Sequence, residues 1–290
     1  MYFSYSITSG IKPEFIFPST SDESTAYDYP DSLTCGCQIG DQSHKDKNWV
    51  ISTAIFDLNK DDQGIRRFST HLYPGSAPDG LATIIPVIDG NTMEMVDPES
   101  NTQITPVTES AEPDLLAQCH CGGVSFKIAR PKAEFIANPE SQVWLSPIYQ
   151  NKWLACMDTC DDCRLVNGTH VIGWMFIPVS HLSPIPPTNL VIGSSKTYRS
   201  TTDVLRTFCD TCGATVLYSC QERAEIVDVA VGILRAPEGV MAENWVSWRA
   251  GRVAWLENGQ RYHAGFSKAL MEGLKLWGVK RGHPDEFIIP

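Results

Sequence analysis

Eight of the ten cysteines fall in four close pairs: Cys35-Gly36-Cys37, Cys119-His120-Cys121, Cys160-Asp161-Asp162-Cys163 and Cys209-Asp210-Thr211-Cys212. Cys156 and Cys220 stand alone. Close pairing aims two thiolates at one metal ion, and two such pairs complete a tetrahedron. Cys209-x-x-Cys212 is followed by Gly213, which permits the tight turn behind the two sulfurs. Cys119-x-Cys121-Gly122 sits just before the alternating stretch Val124 to Ile128 and offers the second half of a site. The four together predict one structural zinc joining distant segments, since reduced buried thiols usually come singly. His120 is not needed as a ligand once its neighbours fill their half. Cys35 and Cys37 have no visible C-x-x-C partner and read as buried thiols or the relic of a half-site. Cys220 reads as core.

A second chemistry gathers around Cys160 and Cys163, where Asp158, Asp161 and Asp162 crowd carboxylates beside two thiols. Crowding and partial burial raise carboxylate pKa values, so one of these groups is a candidate general acid or base. Asp161 and Asp162 suit a turn, and the residues alone leave Asp158 open. His170 would titrate near neutral pH if it faced the same pocket, or else is a satisfied structural histidine. Arg164 suits either an oxyanion clamp or an ion pair to a nearby Asp. His71 is a weaker candidate of the same kind. Cys156, Cys160 and Cys163 lie at i, i+4 and i+7 and would share a face of a helix, so Cys156 is an alternative metal ligand. Trp174, Trp245, Trp248 and Trp255 suit core packing before an aromatic pocket.

These groups must be held by a folded scaffold, and the composition provides for one. The chain has 290 residues, 42% hydrophobic and 10% aromatic, with only 20% charged. Twenty-three Lys and Arg against 34 Asp and Glu give a formal charge of -11, which disfavours a nucleic-acid partner. The longest apolar runs, Leu81 to Ile88 and Val171 to Val179, fall short of the roughly 18 residues that span a bilayer. The opening residues lack a basic and then apolar leader pattern, so a cytoplasmic location is the expectation. The oligomeric state is left open.

The periodicity predicts a mainly β protein. Trp49 to Leu58 and Ile65 to Tyr73 read as a hairpin around Asp61 to Gly64, and Leu81 to Ile88 is a third apolar stretch. Residues 1 to 30 read as an extended arm, and Asn91 to Glu112 as a polar connector. Further strands are expected at Val124 to Ile128, Val171 to Ile177, Ala214 to Tyr218 and Ile226 to Ile233. In the last of these, Val227, Val229, Val231 and Ile233 form one apolar face, opposed by Asp228, Ala230 and Gly232. Phe266, Leu270, Leu274 and Trp277 predict a C-terminal helix that Ser267 helps to cap and Gly278 ends. The division that follows is a strand-rich half, 1–112, packed on the rest and reading as a degenerate repeat, and a zinc-binding part, 113–290, ending in the helix.

Three blocks carry a family resemblance: C-H-C-G at Cys119 to Gly122, C-x-x-C-R with a later glycine at Cys160 to Gly168, and F-C-x-x-C-G at Phe208 to Gly213. In these blocks, over roughly Leu116 to Ile233, the chain resembles the glutathione-dependent formaldehyde-activating enzymes, to which centromere protein V is related. Asp79 to Ala82 and the Trp-rich tail from Trp245 to Trp277 resemble longer fungal members. The resemblance implies a β-tent fold, here as a degenerate tandem, with structural zinc on Cys119, Cys121, Cys209 and Cys212. It also implies a second, catalytic zinc on a C-x-C-x-x-C triplet, of which Cys160 and Cys163 match the last two positions. The first position is Asp158, a departure from the pattern. Three outcomes remain open: coordination by the Asp158 carboxylate, coordination by Cys156 instead, or a site without metal.

The expected function is a zinc-containing, non-redox enzyme of lyase or isomerase type acting on a small carbonyl compound, with a place in specialised metabolism. A carbon–sulfur lyase working on a glutathione adduct and a non-enzymatic, zinc-stapled binding module are the alternatives. No G-x-G-x-x-G or P-loop pattern supports a nucleotide cofactor.

Overall fold

The computed structural model describes residues 27–28, 35–37, 39–43, 49–56, 68–96 and 113–286. The expected arm up to residue 26, the turn at Asp61 to Gly64 and the connector from 97 to 112 lie outside the described residues. In the first part of the chain the strands are short. They comprise β1 (Tyr27–Asp28), β2 (Gly40–Ser43), β3 (Trp49–Ile51), β4 (Thr70–Leu72), β5 (Val87–Ile88), β6 (Asn91–Thr92) and β7 (Glu94–Val96), with a single helical turn α1 (Leu81–Ile84). After β3 the predicted strand becomes a 3-10 turn at Thr53–Ile55. The start of the expected connector, in turn, is structured, because β7 pairs in parallel with β4. Nothing among the described residues of this part repeats the large sheet that follows.

That sheet is the scaffold of the molecule. Its strands are β10 (Trp153–Asp158), β11 (Ile172–Pro178), β13 (Ser195–Arg199), β14 (Val204–Cys209), β15 (Thr215–Cys220), β16 (Ile226–Ala230) and β17 (Val246–Trp248), in the order β13-β14-β15-β16-β11-β10-β17. All neighbours are antiparallel except β10 and β17. A smaller sheet joins β8 (Leu115–Gln118) and β9 (Ser125–Ile128) to β12 (Leu182–Ser183). The period-2 alternation sorts the large sheet into two faces. Trp153, Ala155, Met157, Met175, Ile177, Leu217, Val227 and Val229 point into the main core, while Leu154, Cys156, Trp174, Phe176, Ile226 and Ala230 form a second buried cluster on the opposite face. Here the sequence reading of β16 needs correction: Asp228 is buried, so both faces are covered, and Val231–Ile233 turns away as a 3-10 segment.

Two helices follow α1 before the C-terminal one: α2 (Ala133–Ala137) and α3 (Asp161–Asn167). The C-terminal helix α4 (Leu256–Arg281) buries Phe266, Leu270, Leu274 and Trp277 on the expected face. It begins earlier than predicted and is broken at His263 (φ −154, ψ 95), whose Nδ1 accepts the Phe266 N–H at 3.0 Å and so caps the second segment. Ser267 is buried inside the helix, and Gly282 (φ 71), not Gly278, ends it. Gly278 and Gly273 serve close packing. A Cβ at Gly273 would run into the Ile84 carbonyl oxygen, and one at Gly278 into Ala250. Phe68, Ile84, Ile85, Ile88 and Met93 share the main core with α4 and with β8 to β10.

Candidate metal centres and the cleft

The first centre is assembled by two turns. Cys119 directly follows β8, the chain reverses through Gly122 (φ 76), and the Cys119 N–H bonds back to the Val124 carbonyl at 3.0 Å. Cys209 ends β14, and Gly213 (φ 66) donates to the Cys209 carbonyl at 2.9 Å. Four sulfurs result, all within 4.8 Å of one another, with Cys119 to Cys121 at 3.6 Å and Cys121 to Cys209 at 3.5 Å. A tetrahedral zinc with bonds of about 2.3 Å needs sulfur edges of about 3.8 Å, so the residues fit the metal. The surroundings also suit thiolates. The Val124 N–H points to Cys119 Sγ at 3.2 Å and the Ser194 hydroxyl lies 3.4 Å from Cys209 Sγ. Burial would raise the Cys209 pKa, but the Ser194 hydroxyl and the Cys212 and Thr211 N–H groups outweigh it and bring the thiol down to about 6. Burial pushes Cys212 up to about 12.

The second group stands where β10 passes into α3. Asp158, Cys160 and Cys163 place their ligand atoms within 4.8 Å of one another. Asp158 Oδ1 accepts the Cys160 N–H at 2.7 Å. Cys160 is the N-cap of α3, its Sγ accepting the Cys163 N–H at 3.2 Å. A carboxylate and two thiols form a donor set zinc accepts, and three protein ligands are the number a catalytic site uses. Cys156 is not part of this group. It lies on β10, not on a helix, and so does not share a helical face with Cys160 and Cys163. Burial in an apolar setting pushes its thiol well above the ordinary range. Burial also raises Asp158, opposed by the Cys160 N–H and by Arg206.

All three ligand-type groups line a cleft of ≈ 800 Å³ on the second face of the sheet. Its floor is a cross-strand row in which Arg206 pairs with Tyr218 and Tyr218 with Asp228, which in turn sits opposite Phe176. Arg206 Nη1 is 3.8 Å from Cys163 Sγ, and its Nε donates to Ser200 Oγ at 3.2 Å. Arg223 grips Asp228 through two bonds of 2.5 and 2.8 Å. Burial takes the Tyr218 phenol up to about 12, so it stays protonated. Arg249 and Trp255 also line the cleft. Cys220 lines the cleft and is not core.

Two expected members of the site do not reach the cleft. His170 is buried in an aromatic cage of Phe68, Tyr262 and Phe266, with Nε2 at 2.9 Å from Thr53 Oγ1. Arg164 lies over the Tyr262 ring, donates to the Ala54 carbonyl and pairs with Asp161 at 3.5 Å. Both fasten the Thr53–Ile55 turn to α3 and α4. Neither is among the residues lining the cleft. His71 also lies outside the cleft lining, with Nε2 at 2.8 Å from the Ile85 carbonyl oxygen. Cys35 and Cys37 join neither metal-type group among the described residues, and Gly36 packs on the Phe208 ring. The sequence reading does not single out Arg206, Tyr218, Arg223, Asp228 or Arg249 as site residues. For Arg206 and Asp228 the signal is a charged residue inside a largely apolar strand, VLRTFC and IVDVA, whereas Arg223 and Arg249 lie outside the strands.

No helix among the described residues is long and apolar enough to cross a membrane. Comparison with curated proteins found no match. A solved structure of a Rhodobacter sphaeroides protein is 20% identical, covering 46% of this chain and 98% of its own, with a TM-score of 0.29. Residues 147–248, the stretch holding Asp158, Cys160, Cys163, Cys209 and Cys212, match the model of the family described as glutathione-dependent formaldehyde-activating enzyme.

Proposed function

We propose that this chain is a zinc-containing, non-redox enzyme of lyase type acting on a small carbonyl compound or its thiol adduct, with the reaction in the cleft beside Asp158, Cys160 and Cys163. The observation that carries this reading is the convergence of three ligand-type groups on the wall of a roomy cleft. The Cys119, Cys121, Cys209 and Cys212 cluster staples β8 to β14 and takes no part in the chemistry. Cys160 and Cys163 would be the thiolate ligands of a weakly held second zinc, which when bound supplies Lewis-acid polarisation of an oxygen or sulfur, and Asp158 beside them stays free to move a proton.

The chain's own groups divide the remaining work. Asp158 is fixed by the Cys160 N–H on Oδ1, sits against the Cys160 and Cys163 side chains, and lines the cleft, so it is placed to take or give a proton there. Arg206 and the protonated Tyr218 donate hydrogen bonds toward an oxygen that gains charge. Trp174 and Phe176 exclude water from the inner wall.

The test is turnover of a panel of small aldehydes, with and without glutathione, by wild type, Asp158→Asn and Asp158→Cys, with zinc counted per chain. Asp158→Asn should lose at least about 100-fold in rate while keeping the four-cysteine zinc. Asp158→Cys should move zinc toward two per chain and lower turnover on the natural substrate. Full turnover in both variants would defeat the assignment of Asp158.

A further inference from the structure

Arg249 is the exception among the charged groups of the cleft. It follows β17, its backbone N–H is tied to the Ala155 carbonyl at 2.9 Å, and only 5% of its surface is exposed. The other inner arginines are engaged: Arg223 with Asp228, and Arg206 with Ser200 and Cys163. Arg249 Nε is buried without a hydrogen-bond partner, and among the described residues no side-chain hydrogen bond or ion pair of Arg249 is found. A guanidinium that remains charged at any working pH pays heavily for such burial unless an anion meets it. Yet this one lines the cleft that Asp158, Cys160 and Cys163 also line.

We infer that Arg249 is the docking point for a carboxylate of the substrate, which it grips through the planar fork of its guanidinium and so presents the adjacent carbonyl carbon to Asp158. This rests on the reading of the cleft as the reaction site. The charge around it selects the class of anion. Six carboxyl groups and four guanidinium groups line the cleft, and of the inner cations Arg249 alone lacks a hydrogen-bond or ion-pair partner among the described residues. One unpaired cation in a surplus of acids suits a planar monoanion, while a doubly charged phosphate would meet net repulsion. The substrate is therefore a small carbonyl compound, or a thiol adduct of one, that carries a single carboxylate at this end.

The experiment uses the full zinc-loaded chain and three probes at constant ionic strength: sodium acetate, neutral acetamide and inorganic phosphate. Readouts are the arginine Nε–H resonance that disappears in Arg249→Lys, and thermal stability. Acetate should shift that resonance saturably in wild type and in Asp158→Asn, and acetamide should not. Arg249→Met should lose the acetate stabilisation while its own Tm stays equal to or above wild type, because an unpaired buried charge has been removed. Arg249→Lys, which keeps the charge without the fork, should bind acetate at least tenfold more weakly, and it carries the test should the Met variant not fold. Acetate stabilising Arg249→Met or Arg249→Lys as it does wild type, acetamide matching acetate, or phosphate exceeding it would each overturn the inference. Loss of turnover in Asp158→Asn with acetate binding intact bears on the catalytic reading alone.

Discussion

Replacing Cys212 by serine removes one sulfur from the four-cysteine cluster while leaving volume and backbone almost unchanged. Structural zinc in a four-ligand site contributes about 10–16 kcal/mol to folding, which exceeds the net stability of about 5–15 kcal/mol that a domain retains. If one ligand in four carries its share, the loss is about 3–4 kcal/mol, corresponding to a fall of about 10 °C in Tm for a protein of this size. The cluster joins the turn after β8 to the turn after β14, so the loss should spread to both sheets. The assay is zinc per chain by mass spectrometry after dialysis against a chelator, together with calorimetric unfolding. Cys220→Ser is the control, since Cys220 lies on the cleft and outside the cluster. It should keep its zinc and stay within about 2 °C of wild type. A Cys212→Ser protein that holds zinc through dialysis and melts with wild type would refute the reasoning.

Acid should weaken the fold through two histidines. Burial, reinforced for His181 by Lys132 and for His283 by Lys152 and Arg281, lowers both from 6.5 to about 4, and each ring accepts a backbone N–H, from Lys132 and Trp248 respectively. The unfolded chain binds more protons between those values, so stability should fall as pH drops from 6.5 to 4, by about 1–2 kcal/mol per histidine after allowance for screening, and the effect should end below pH 4. His181→Gln should roughly halve the slope of a denaturant titration series across that window; an unchanged slope would remove His181 from the account. Gly273→Ala should destabilise by about 2–4 kcal/mol in urea unfolding, because the new methyl meets the Ile84 carbonyl, whereas a helix-propensity argument alone predicts a gain of up to about 1 kcal/mol. We further propose that the parts before and after the 97–112 connector fold as one unit, since Phe68, Ile84, Ile85 and Ile88 lie in the same core as Leu270. After cleavage at a protease site inserted in the connector, the halves should co-elute on gel filtration, and a separately soluble fragment would show two autonomous domains.

What could be read from the residues follows the range over which each signal acts. Paired cysteines with a following glycine are local chemistry, and the four-sulfur cluster therefore appeared where Cys119, Cys121, Cys209 and Cys212 predicted it. Strand alternation is also local and located β9, β11, β15 and β16 to within a few residues. The Phe266, Leu270, Leu274 and Trp277 stripe located α4, while its start and its break at His263 depend on tertiary contacts and were missed. His170 and Arg164 lie close in sequence to Cys163, yet α3 turns them toward the Thr53–Ile55 segment and α4. Sequence proximity misled because the helix has a face that packs and a terminus that does not. Cys156 failed as a helical neighbour because the β10 strand ends at Asp158, and the helix begins only after Cys160.

The cleft itself depends on a register that no single strand discloses. Arg206, Tyr218 and Asp228 come from three strands and meet only because β14, β15 and β16 pair as they do. A slip of one residue in any pair would send these groups into the Met175, Leu217 and Val229 core, where nothing could satisfy them. The apolar face thus fixes the register, and the register builds the polar row on the other face. Burying that row costs stability at each charged group unless a partner is present. Asp228 and Arg223 meet this by pairing, and Arg206 by Ser200 and Cys163. Among the described residues Arg249 has no such partner on its buried Nε, while Asp158 is held by the Cys160 N–H. Arg249 and Asp158 line the same cleft, so the stability that the unmet guanidinium costs is recovered when a ligand carrying one negative charge binds there, with its transferable proton toward Asp158.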